Sequence, residues 1–185
     1  MEIVQLKEIV PDNLLSARYD GQDLDEFERL MQEWTDTEYL FDFFSGNSDL
    51  LFSGFYKGTK TIEEAVSLTI SEADRFYDLM LDCNLGGSAD LEVLFKPLHA
   101  GSTSIVREES KAYGPRRQSW LRLYAIRIAY NFYAISGGGI KLTETMQEGR
   151  NSDEHFAKLK LLANFLKANG LESPEDYTYL DIEFK

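Results

Sequence analysis

The chain has 185 residues, 43% of them hydrophobic and 13% aromatic, with a formal net charge of −13 at pH 7. That apolar content is enough to bury a core within one domain, which excludes a disordered chain, and so acidic a surface excludes general nucleic-acid binding. Cys83 is the only cysteine and His99 and His155 the only histidines. No internal disulfide can form, and a structural zinc site lacks ligands, so neither metal nor cofactor is expected. No apolar run approaches the roughly 20 residues of a membrane span, and no basic-then-apolar leader is visible. The expectation is a soluble, cytoplasmic protein with no membrane or DNA partner.

The first elements alternate between extended and helical patterns. Met1–Lys7 reads as a short extended piece and residues 13–19 as a strand ending at the turn Asp20-Gly21. Leu24, Phe27, Leu30, Met31 and Trp34 recur at helical spacing, behind a first turn crowded with Asp23, Asp25 and Glu26. A second helix follows Thr35-Asp36, with Tyr39, Leu40, Phe43 and Phe44 on its apolar side and Gly46-Asn47 as its stop. Residues 48–60 are ambiguous. Thr61 and Glu64 have the spacing of a capping box and open the longest helix, which runs to Cys83. Ser88 starts a short helix through Leu94 and Phe95, broken at Pro97.

Residues 99–117 read as a loop of small and basic residues. Three strands follow by alternation: Trp120–Ile128, Asn131–Ser136 after a turn at Ala129-Tyr130, and Gly139–Thr143 after Gly137-Gly138. Residues 153–168 form an amphipathic helix closed by Asn169-Gly170. The tail from Tyr177 to Phe184 is a last strand or an irregular cover. The fold class is α+β: an N-terminal strand and helices packed on a small, mostly antiparallel sheet, with a C-terminal helix, in a single domain spanning 1–185. Its parts are an acidic helical half over about 1–99, a basic β-meander plus helix over about 100–170, and a tail at 171–185.

Charge is distributed unevenly across those parts. Residues 1–99 hold 7 Lys or Arg against 21 Asp or Glu, whereas residues 100–147 hold 7 against 3. The basic set is Arg107, Lys111, Arg116, Arg117, Arg122, Arg127 and Lys141. Such residues suit phosphate oxygens, with arginine able to grip two at once. They equally suit pairing with the carboxylates of the acidic helices. Arg122 and Arg127 are five apart, so on a regular strand they point to opposite faces. At most one of them joins Lys141 in a groove. Gly137-Gly138-Gly139 reads as a turn or bulge, since it is not a phosphate-loop pattern. The rings of Trp120, Tyr124, Tyr130, Phe132 and Tyr133 either stack bases or pack as core. His99 and His155 are each either a general base at neutral pH or, as the more common outcome, a surface histidine, and no acid partner is identifiable for His155.

The stretch RQSWLRLYAIRIAYNFYAISGGGIKLTETMQE, with the helix carrying Phe156, Leu159 and Leu162, resembles the C-terminal half of RelE/HigB-like toxins. The preceding LEVLFKPLHAG is similar to the segment before their meander, and the resemblance covers about residues 90–168. It implies a toxin-type protein of a toxin–antitoxin pair, a metal-independent mRNA endoribonuclease acting on RNA or the ribosome and neutralised by an antitoxin protein. Carried across, Arg122 or Arg127 matches the strand arginine and Lys141 the third-strand lysine, as catalytic residues. Thr143 and Thr145 match the neighbouring threonines, and Tyr124, Arg116 and Arg117 join them as substrate-binding candidates. Family members are usually shorter and basic, whereas this chain adds acidic helices. A second expectation from the charge is therefore a non-enzymatic acidic interaction module on the same fold.

Overall fold

A computed structural model describes residues 1–53, 61–83, 90–98, 107–116, 118–143 and 152–183. Strands β1 (Ile3–Val10) and β2 (Leu14–Tyr19) form an antiparallel pair. Helices α1 (Glu26–Thr35), α2 (Thr37–Gly46), α3 (Ser48–Ser53) and α4 (Ile62–Asp82) follow. One turn of helix, α5 (Leu91–Leu94), leads into β3 (Phe95–Pro97), β4 (Glu108–Tyr113), β5 (Leu121–Ala129) and β6 (Phe132–Ile140). Helices α6 (Ser152–Ala168) and α7 (Pro174–Glu183) complete the described chain. The strands form one six-stranded sheet in the order β1-β2-β6-β5-β4-β3, antiparallel except where β2 runs parallel to β6. The acidic half thus contributes three strands, β1, β2 and the short β3, to the sheet that carries the meander.

Local chemistry sets the helix starts. Asp25 Oδ1 accepts from the N–H groups of Phe27 at 2.9 Å and Glu28 at 3.2 Å. Asp36 does the same for Glu38 and Tyr39, and Thr61 Oγ1 accepts from Glu64 N at 3.1 Å. Each cap satisfies amides that the first helical turn leaves without partners.

Helices cover both faces of the sheet. On one face, Phe27, Leu30 and Trp34 of α1, Leu40 and Phe44 of α2, and Phe76 and Met80 of α4 pack on Leu121, Leu123, Ala125, Tyr133 and Ile135. Trp34 stacks on Phe76, and Phe44 meets Trp120 edge-on with centroids 5.4 Å apart. On the other face, Leu159, Leu162 and Leu166 of α6 with Leu171 and Leu180 pack on Tyr124, Ile126, Ile128, Phe132 and Ala134. Truncating one such buried ring or leucine costs about 2–5 kcal/mol.

The meander differs from its sequence reading. The triple glycine is no turn; β6 runs unbroken from Phe132 to Ile140. A bulge at Ser136, where Tyr124 faces Gly137 and Ala125 faces Ile135, resets the alternation. The glycines then serve close packing. A Cβ on Gly138 would meet the Arg122 carbonyl oxygen at 2.3 Å and Leu30 Cδ1 at 2.8 Å, while one on Gly137, where φ is +157°, would lie 3.0 Å from Glu26 Oε2. The predicted loop at 99–117 contains β4, whose alternation hid among polar residues because β4 lies near the sheet edge, next to the short β3. Residues 48–53 form α3, and the tail forms helix α7 rather than a strand, tied by the Tyr177 hydroxyl to the Leu6 carbonyl at 3.1 Å. Gly54, Phe55, Tyr56, Gly58, Ser88, His99, Arg117 and Thr145 lie outside the described residues.

Candidate functional site

The cations of the meander were the candidates for phosphate contact, and the fold separates them. Leu123 and Ala125 belong to one core and Tyr124 and Ile126 to the other, so β5 alternates regularly and Arg122 and Arg127 leave on opposite faces. Arg127 donates from Nε to Glu92 Oε1 of α5 at 2.7 Å. That bond, with the carboxylate's charge, raises its pKa against the cost of burial. The same Glu92 oxygen accepts from Asn131 N at 2.9 Å, and Asn131 Oδ1 accepts from Leu91 N at 2.8 Å. Asn131 takes a positive φ of 54° at the β5–β6 turn. Arg127 is thus part of a clamp holding α5 to that hairpin, and Tyr130 adds a bond from its hydroxyl to Asp90. Burial, with Glu92 nearby, also pushes the Tyr133 phenol up.

Arg116 is spent similarly. Its Nε donates to Glu72 Oε1 of α4 at 2.5 Å, and its guanidinium carbon lies 5.1 Å from the Trp120 ring centroid. The second Glu72 oxygen accepts from the Ser119 hydroxyl at 2.6 Å, and Trp120 Nε1 donates to Thr69 Oγ1 at 2.9 Å. Arg107, ahead of β4, pairs with Glu172 ahead of α7 at 3.1 Å.

Arg122 is different. It is 8% exposed, and its Nη1 donates to the carbonyls of Ser119 and Leu121, each at 2.7 Å. Its guanidinium sits 4.1 Å from the centroid of Tyr113, the residue opposite it on β4, and Lys111 Nζ approaches the same ring at 5.6 Å. Gly139 faces Arg122 on β6, and His155 of α6 lies over Gly139, 3.7 Å from where a Cβ would stand. The His155 ring meets Tyr124 with centroids 4.9 Å apart. Burial lowers its pKa, with Lys158 and Arg29 adding to the effect and Glu154 and Glu26 opposing it, so the imidazole is neutral at pH 7. Its Nδ1 is buried without a hydrogen-bond partner among the described residues.

Tyr124 is therefore a buried wall beneath His155, not an open platform for a base. Lys141 is half-buried just past β6, its N–H donating to the Trp120 carbonyl at 2.8 Å, and Thr143 is half-buried two residues on. By register, Arg122 stands opposite Gly139 and Lys141 bonds to Trp120 at the same end of the sheet, while Arg127 and Arg116 are held by Glu92 and Glu72. Sequence reading passed over Tyr113, counted Lys111 only as one of the basic set, and read His155 as a surface histidine, whereas its ring packs on Tyr124 with Nδ1 buried. The only signal for them is the cross-strand register, which no local pattern reveals. Among the described residues no cluster of His, Cys, Asp or Glu is arranged to hold a metal ion.

The remaining buried charges join helices to the sheet. Glu26, fully buried, accepts from Arg29 Nη2 at 2.8 Å and from Lys158 Nζ at 3.1 Å, and Lys158 also meets Glu154 at 3.2 Å. Glu26 Oε2 lies 3.0 Å from where a Cβ on Gly137 would stand, so the glycine next to the β6 bulge gives this network room. Arg29 also reaches Glu33, and these carboxylates hold its pKa up although burial opposes its charge.

No family model, curated protein or solved structure matches this chain. No helix among the described residues is long and apolar enough to cross a membrane.

Proposed function

We propose that this protein acts by binding a basic partner through its acidic helical half, with the mixed sheet as scaffold. One observation carries the reading: among the described residues, three of the cations of this region are already paired with carboxylates of the same chain. Arg127 is committed to Glu92, Arg116 to Glu72 and Arg107 to Glu172. RNA would have to displace those carboxylates and would meet a sheet whose two faces lie under α1, α2 and α4 and under α6 and α7. The acidic charge has no such internal sink, because 32 Asp and Glu outnumber 19 Lys and Arg. The test is a complex isolated from the source cells at low ionic strength. A partner that is itself basic and leaves steeply with added salt supports the reading. Recovery of none at low salt removes it.

A second reading rests on the Arg122 corner. There the strand arginine, Tyr113, Gly139 and a neutral His155 share one neighbourhood, which is the chemistry a RelE/HigB-like toxin would need to hold a phosphate and accept a proton. In that reading the chain cleaves mRNA without a metal and is neutralised by an antitoxin. An Arg122→Ala/Lys141→Ala variant that leaves both growth arrest and RNA cleavage unchanged eliminates it.

A further inference from the structure

Among the described residues of the acidic half, α2 and α3 bring exposed acidic and exposed aromatic groups together in one short segment. Between Arg29 and Lys57 there is no Lys or Arg, while Glu33, Asp36, Glu38, Asp42 and Asp49 all fall there. Glu33 is engaged by Arg29, and Asp36 caps α2. Glu38 and Asp42 have no ion-pair partner among the described residues.

Helix geometry puts these two acids beside an apolar side chain. Leu40 and Phe44 turn α2 inward onto the core. The opposite stripe is Glu38, Phe41, Asp42 and Ser45, all exposed and spaced by three and four. Phe41 is 44% exposed within that stripe. Helix α3 follows directly, burying Leu51 while Leu50 stays 38% and Phe52 47% exposed. Three large apolar side chains within twelve residues therefore face water on a segment lacking any cation.

We infer that the α2–α3 surface is a docking face for a basic amphipathic helix of another protein. This rests on the reading above and gives it a location. Phe41 supplies the apolar anchor on α2, and one of Leu50 and Phe52, which flank the buried Leu51 of α3 on opposite sides, joins it, while Glu38 and Asp42 meet Lys or Arg on the flanks of the incoming helix. Charge decides against the other occupants. A second copy packed face to face would bring the same carboxylates together, since a two-fold interface pairs a patch with itself. Nucleic acids and anionic lipid surfaces carry the wrong sign.

The experiment uses the full chain and a fluorescein-labelled synthetic helix with leucines on one face and lysines on its flanks, followed by anisotropy. The comparison peptide has the same composition scrambled so that no apolar face forms. The expected result is tighter binding of the amphipathic peptide than of the scrambled one. Phe41→Ser/Phe52→Ser and, independently, Glu38→Lys/Asp42→Lys should each weaken it by about tenfold or more. Val93→Ser, at an exposed apolar residue of α5, should change nothing. Circular dichroism and urea midpoints establish that each variant is folded. Because the lysine pair leaves every apolar contact in place, it tests the face even if the serine pair fails to fold. Unchanged affinity in the folded variants overturns the docking face and leaves the basic-partner reading standing. Absence of binding by either peptide at low salt overturns both.

Discussion

The basic meander and the acidic α2–α3 segment carry opposite charge, and they handle it in opposite ways. In the meander, Arg127 and Arg116 turn inward to Glu92 and Glu72, and Arg122 lies against Tyr113 and two carbonyls. In α2, Glu38 and Asp42 stay in water with no ion-pair partner among the described residues. A count of charges along the chain ranks the meander first as a binding surface. The fold reverses that ranking, because only charge left unpaired after folding is available to a partner. Buried pairs act in the opposite sense: they cost desolvation and serve to fix one packing over another.

Substitutions can separate the two regions, beginning where charge is most deeply enclosed. Lys158→Met removes the amine from Glu26 and should cost about 3–5 kcal/mol, because it leaves a buried carboxylate short of its partner. Thermal unfolding would register roughly a 10 °C fall in a chain of this size; an unchanged midpoint would mean that the network does not bind α6 to α1. Gly138→Ala should cost about 1–3 kcal/mol, since its methyl meets the Arg122 carbonyl and Leu30. Urea unfolding checks it, and a stabilised variant would contradict the close approach of α1 to β6.

The direct comparison comes next. Arg127→Ala should destabilise by about 1–3 kcal/mol by stranding Glu92 in the hairpin clamp. Asp42→Asn, which touches no described cation, should stay within about 0.5 kcal/mol of the parent. Equal effects would erase the distinction between internal and outward charge.

Protonation offers a fourth and smaller test. Burial holds the folded pKa of His155 below its ordinary value of 6.5. Above pH 6.5 the residue has no influence on stability. As pH falls below 6.5 the unfolded chain takes up a proton that the folded chain refuses, so stability declines toward the folded pKa. His155→Phe should flatten that part of the profile of urea midpoints against pH. Asp25 belongs to a lower window: burial opposes its charge, but the Glu28 N–H bond and the nearby Lys7 ammonium help keep its pKa below 3.8, so its contribution to stability is lost only as pH falls through that lower range. An unaltered slope near pH 6 in His155→Phe would show that the imidazole is not shielded.

Some of this was readable without coordinates. Caps and helical spacing located α1, α2 and α4, because those signals involve residues within a turn of each other, such as Thr61 with Glu64. The five-residue interval separating Arg122 from Arg127 implied opposite faces, and β5 alternates regularly enough for that rule to hold. Other features were not readable. The triple glycine reads as a turn until α1 and α6 stand against it, for nothing local says that Leu30 and Glu26 will occupy the space above. Strand β4 lacks an apolar face of its own, and helix α7 is nearly uniform in polarity around its axis, so neither announces its conformation.

Local sequence therefore determined α1, α2, α4 and α6 and the mixed α+β character, since each follows from spacing within a few residues, and composition alone set the total charge. Tertiary structure alone decided which charges were spent. Glu92 meets Arg127 across 35 residues, Glu72 meets Arg116 across 44 and Lys158 meets Glu26 across 132. Such pairs exist only once the sheet has set its register and the helices have closed over both faces. The physical reason is that a carboxylate selects its cation by proximity in space, and the chain's order along the backbone does not encode that distance.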